Sequence, residues 1–118
     1  MRYKDEYGKP QPSIRLERTV DGERVVTWTR DIVNHNILEV EAGTNGFHGG
    51  ATKYGSRTYL RIANQGCTDL HCNVKPYSTS DDDIKEIEIT LGGDAELSTI
   101  IEALRWILTV LEAQADVL

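Results

Sequence analysis

The chain has 118 residues, enough for one domain that buries a core without metal or disulfide support. Hydrophobic residues make up 39% and charged residues 27%, the balance of an ordinary soluble globular protein. The net charge is −6, which argues against a partner for long nucleic acid, because phosphate binding needs a basic field.

The chain opens with MRYKDEYGKPQP, residues 1–12, a polar stretch with Pro10 and Pro12 that reads as a tail. It lacks the apolar stretch of a secretory signal, and no apolar run approaches the ~18 residues of a membrane span. The expectation is a cytoplasmic protein with Cys67 and Cys72 reduced. A single α+β domain is expected over 13–118, with strands across 13–91 and a helix over 94–115.

SIRLERTV alternates Ile14, Leu16 and Val20 with polar neighbours, and ERVVTWTR continues through Val26 and Trp28. Asp21-Gly22 between them is a two-residue hairpin signal. After the turn-rich DIVNHN, residues 36–42 place Leu38, Val40 and Ala42 inward and Glu39 and Glu41 outward. RTYLRIA sets Thr58, Leu60 and Ile62 against Arg57, Tyr59 and Arg61. DLHCNV alternates Leu70, Cys72 and Val74 with Asp69, His71 and Asn73, so Cys72 is expected to be a small buried residue. Past the polar segment 75–83, IKEIEITL sets Ile87, Ile89 and Leu91 opposite Glu86 and Glu88. Six such strands predict an antiparallel sheet with one face covered and the other open to water. On the open face, opposite charges on neighbouring strands predict cross-strand pairs, with Arg61 among them.

The chain ends in a segment free of proline and glycine after Asp94, which is a good N-cap, and Glu96 suits the positive end of the helix dipole. Two apolar stripes run along this helix. Leu97, Ile100, Ile101, Leu104, Ile107, Leu108 and Leu111 lie near one line and are expected to cover the sheet. Ala103, Trp106, Val110, Ala113 and Val117 recur at spacings of 3 and 4, as in a coiled-coil seam. The expected use of that second stripe is a homodimer or higher homo-oligomer, helix against helix.

The chemistry-bearing residues form few patterns. His35, His48 and His71 have no zinc-site spacing to each other or to a cysteine, so no metal is expected. Asp81-Asp82-Asp83 lacks the alternation of a calcium loop and reads as a solvated charged loop. No nucleophile, phosphate-loop or dinucleotide motif occurs, and neither a catalytic set nor a cofactor is expected.

The connection AGTNGFHGGATKYGSRT is different. It holds Gly43, Gly46, Gly49, Gly50 and Gly55, five of the chain's ten glycines, and is far longer than a hairpin loop requires. Glycines let backbone N–H groups converge on an anion. Thr44, Asn45, Ser56 and Thr58 add short polar side chains, and His48 and Lys53 add donors. Arg57 at the loop mouth is expected to clamp a phosphate or carboxylate. Phe47, Tyr54 and Tyr59 offer flat faces for a base, while Gly49 and Gly50 allow close approach. The expected site is therefore Thr44, Asn45, Phe47, His48, Gly49, Gly50, Tyr54, Ser56, Arg57 and Tyr59, and the expected ligand is small, anionic and nucleotide-like.

EVEAGTNGFHGGATKYGSRTYLRI at 39–62, with LGGDAELSTIIEAL at 91–104, resembles small uncharacterised proteins carried by bacteriophages and prophages. Proteins of that size and origin include oligomeric sponges, which hold cyclic-nucleotide alarm signals of bacterial defence without chemistry. The resemblance implies such an anti-defence role, in the cytoplasm of a host cell. Two other readings stand beside it: an acidic module that binds and inhibits a host protein, and a small hydrolase of cyclic nucleotides with His48 or His71 as general base.

Overall fold

The first chain reversal is at Asp21 and Gly22, whose φ angles are 48° and 81°. Left-handed backbone at both central positions is the turn that matches strand twist, and only Gly22 adopts it without a side-chain penalty. It joins β1 (Ile14–Val20) to β2 (Glu23–Val33), with Val20 opposite Glu23. The computed structural model describes residues 13–33, 37–66, 68–77 and 83–115. The 1–12 tail, His35, Cys67, Asp81, Asp82 and Val117 lie outside the described residues.

β3 (Ile37–Thr44) and β4 (Thr58–Gly66) extend the hairpin into a four-stranded antiparallel sheet, ordered β1-β2-β3-β4. Cα atoms of β1 and β4 come within 8 Å. Three flat strand spacings would separate them by about 14 Å, so the sheet is strongly curled. β5 (Leu70–Pro76) and β6 (Ile84–Leu91) pair only with each other. The architecture is α+β, as the alternation predicts, but its six strands form two sheets.

The helix α1 runs from Asp94 to Ala115 and lies across β3 and β2. The face it meets is built from Trp28, Ile32, Val40 and Ala42, and the helix presents Ala103, Trp106, Ile107 and Val110 to them. Ile62, Ile100, Leu111 and Ala113 pack around this core. Arg30 also joins Glu102 across the two layers at 3.1 Å.

This arrangement corrects the assignment of the stripes. The seam Ala103, Trp106 and Val110 is the domain's own core, and Ala113 packs beside it, so these residues are not a surface for another chain. Leu97, Ile101, Leu104 and Leu108, expected on the sheet, are exposed. The helix is turned by roughly 90° about its axis from the expected setting. The small side chain of Ala103 lets the helix approach, and the large ring of Trp106 fills the space beside it.

Two further expectations fail for related reasons. The sheet face away from the helix is not open to water. The curl folds it inward, and Val25, Thr27 and Glu41 there are fully buried. Cys72 is exposed, because among the described residues no other element covers the β5–β6 pair. No helix among the described residues is long and apolar enough to cross a membrane.

Candidate functional site

The β3–β4 loop is ordered around Arg57. This side chain is 8% exposed and points back into its own loop. Its Nη1 donates to the carbonyl oxygens of Gly55 at 3.0 Å and Ser56 at 3.3 Å, and Nη2 donates to that of Lys53 at 3.1 Å. Asp21 in the β1–β2 turn lies 3.8 Å from Nε. The arginine expected at the mouth of the site is thus the pin that holds the loop. In this arrangement Nη1 and Nη2 are turned to carbonyls of its own loop, while Nε has no hydrogen-bond partner among the described residues and faces Asp21. A tight turn completes the wrap: the N–H groups of Tyr54 and Gly55 both donate to Ala51 O, at 3.0 and 2.6 Å. A Cβ on Gly55 would collide with the carbonyls of Gly50 and Ala51, so only glycine closes this turn.

The loop base is tied as firmly. Asn45 N donates to Arg57 O at 3.1 Å, and Arg57 N donates to Asn45 Oδ1 at 2.6 Å. The Thr44 hydroxyl donates to Arg57 O at 3.0 Å and accepts from Gly46 N–H and from the Thr58 hydroxyl. His48 Nε2 donates to Asn45 O at 3.0 Å. From the helix, Gln114 accepts from Thr44 N at 3.0 Å and donates to Val26 O at 2.9 Å. It staples the last turn of α1 to the ends of β2 and β3.

A cleft opens between this braced loop and the end of the helix. It is a shallow, half-open cleft of about 150 Å³, lined by Thr44, Gly46, Phe47, Ser56, Thr58, Leu111 and Ala115. The Phe47 ring forms one wall and is 73% exposed. Of the expected site residues, Thr44, Phe47 and Ser56 line the cleft together. Asn45 and Arg57 support it from behind. His48, Gly49, Gly50 and Tyr54 are exposed on the loop away from the lining. Tyr59 belongs to the opposite face of the sheet, where the Arg18 guanidinium lies 5.2 Å from its ring centre. Leu111 and Ala115 come from a helix about 60 residues further along the chain. Local spacing cannot find them; only the amphipathic length of the helix hints that its end reaches the loop.

Among the described residues, no basic side chain lines the cleft. α1 has no basic residue in its last turn, and its final carbonyls carry the partial negative charge of the dipole. Ala115, at that end, is part of the lining. Such a cleft favours N–H donors of a ligand over a phosphate.

A concentrated charge cluster among the described residues is built around Glu41. Glu41 is fully buried on the concave face and accepts from Arg18 Nε and Nη2 at 2.7 and 2.6 Å, from Thr27 Oγ1 at 2.5 Å, and from Arg61 Nε at 3.0 Å. Arg61 also bonds Glu39. Burial pushes the Glu41 carboxyl up, but the hydrogen bonds from Arg18, Thr27 and Arg61 outweigh it and bring the pKa to about 2. The cross-strand pairing expected for Arg61 is present, and it closes over a buried carboxylate.

His71, considered as a general base, has a carboxylate partner, with Asp69 Oδ1 at 2.6 Å. This pair is at the other end of the helix, where Asp69 N donates to Glu96 at 3.4 Å. A helix of 22 residues separates it from the cleft by about 30 Å. Compared with protein-family models, curated proteins and solved structures, the chain matches none of them, so the cleft is read from its own chemistry.

Proposed function

We propose that the protein is a binding protein without turnover, and that its cleft takes the base end of a small nucleotide-like ligand. The observation that carries the reading is the exposed Phe47 ring beside a cleft whose remaining walls are hydroxyls and aliphatic groups. A flat heterocycle stacks on Phe47, Ser56 and Thr58 offer hydroxyl partners, and Leu111 covers the far side. The helix end accepts from exocyclic amino groups. Among the described residues the lining holds no titratable side chain, which favours holding a ligand over cleaving it. A volume of about 150 Å³ is below that of pockets that enclose a whole ligand, so the cleft takes the flat base alone and leaves the rest of the molecule outside. A ligand's phosphates then extend past the loop rim, near exposed Lys53 and His48, and not to Arg57. Sequestration of a cyclic-nucleotide signal, the role implied by the resemblance to small phage proteins, accords with such a cleft.

The test is calorimetry with adenosine, AMP and a cyclic dinucleotide as probes on the wild type and Phe47→Ala. Phe47 is exposed, so the variant folds normally. Loss of binding in Phe47→Ala supports the reading, and unchanged binding contradicts it. Chromatography of the probe recovered after denaturation separates the roles: intact probe supports sequestration, and altered probe means an enzyme.

A further inference from the structure

Among the described residues, two apolar surfaces on elements joined in sequence by Gly92–Gly93 are uncovered. The first is the helix arc of Leu97, Ile101, Leu104 and Leu108, exposed by 57, 41, 55 and 57%. Their spacings of 4, 3 and 4 put them on one seam. The second is a ladder on the β5–β6 pair, whose register sets Cys72 opposite Ile89 and Val74 opposite Ile87. Val74, Ile87 and Ile89 are each about half exposed. The other side of this ribbon is polar and already satisfied, with Lys75 Nζ at 2.8 Å from Glu86 and 3.5 Å from Glu88.

Among the described residues, the ribbon is fastened to the body mainly at its base. Gly92 N donates to Asp69 O at 3.3 Å, and Asp69 N to Glu96 Oε2 at 3.4 Å. A two-stranded ribbon is marginal in water unless its apolar face is covered. Among the described residues, no other element covers that face.

We propose that a second copy of the chain covers both surfaces. The two α1 helices pack along their Leu97–Leu108 seams about a two-fold axis, and each β5–β6 arm closes over the partner. The area is sufficient. At roughly 100 Å² apiece, Leu97, Ile101, Leu104, Leu108, Val74, Ile87 and Ile89 remove on the order of 700 Å² per protomer, close to the ~800 Å² per partner of a standard interface. The dimensions agree as well: the seam is about 17 Å long and the seven-residue arm about 23 Å. A two-fold dimer uses the same patch on both copies, so it satisfies all four apolar faces and leaves no open end for a filament. Ser98, Arg105 and Glu112, exposed along one flank of the seam, form its polar rim. The inference stands on these faces alone and does not depend on what the cleft binds.

Sedimentation equilibrium of the full chain across about 1–100 μM tests it, with Leu104→Glu and Ile89→Lys as variants. The wild type is expected at twice the protomer mass of 13.2 kDa. Each variant is expected to weaken association tenfold or more with an unchanged circular dichroism spectrum. If Leu104→Glu does not fold, Leu104→Ser replaces it. A monomeric wild type at 100 μM overturns the proposal. So does a dimer that both folded variants leave intact, or an assembly of three or more chains.

Discussion

Arg57 Nη1 donates to the carbonyl oxygen of Gly55, two residues back along its own chain, at 3.0 Å. That contact reverses the obvious reading of an arginine in a glycine-rich loop. The guanidinium is buried and gathers three carbonyls, so the loop is wound round it as a compact surface unit.

Arg57→Ala is therefore expected to act on order before binding. It leaves the Gly55, Ser56 and Lys53 carbonyls without their donor, at a cost of about 1–3 kcal/mol. Hydrogen exchange should accelerate across 46–56 and stay unchanged in β2 and β3. Exchange that is unaffected in the loop would show that the arginine does not hold it. Lysine is expected to rescue poorly, since a single ammonium cannot reproduce the fork.

Trp106 separates the core from the surface stripe. Trp106→Ala empties the centre of the sheet–helix layer and is expected to cost about 3–5 kcal/mol in urea unfolding. Ser98→Ala, on the exposed side, is expected to stay within about 0.5 kcal/mol. A Trp106 variant that folds with full stability would return this residue to the surface.

Glu41 gives a pH dependence with a definite sign. Its pKa falls from 4.5 in the unfolded chain to about 2 in the fold. The stabilisation is complete above pH 4.5 and is lost as pH drops through about 2, a change of about 3 kcal/mol. Denaturant titrations at pH 6 and pH 2 measure it, and Glu41→Gln should remove this part of the slope. At neutral pH the same variant is also expected to be less stable than the wild type, because Arg18, Thr27 and Arg61 lose the carboxylate that gathers them.

Much of the fold is legible in the sequence, for a physical reason. Period-two alternation marks each strand, Asp21-Gly22 marks the hairpin, and the break-free run after Asp94 marks the helix, whose observed span is Asp94–Ala115. These signals are local. What is not local is not legible: β5 declines to pair with β4, and the helix sets Ala103 and Trp106 against the sheet although Leu97 and Leu104 have the same helical period. Composition also cannot tell Glu41 from Glu39. Both alternate outward, and only the curl of the sheet buries one completely. In the loop, sequence picks out Thr44, Phe47 and Ser56, but it cannot show that Arg57 turns inward or that Leu111 and Ala115 form the opposite wall.

The most direct test of the binding cleft is an amide-resolved NMR titration of the full chain with AMP and with a cyclic dinucleotide. The account predicts that resonances of Thr44–Phe47, Ser56–Thr58 and Leu111–Ala115 shift together and saturate with one affinity, while Tyr59 and His71 stay still. Shifts confined to other surfaces, or none at millimolar probe, contradict it.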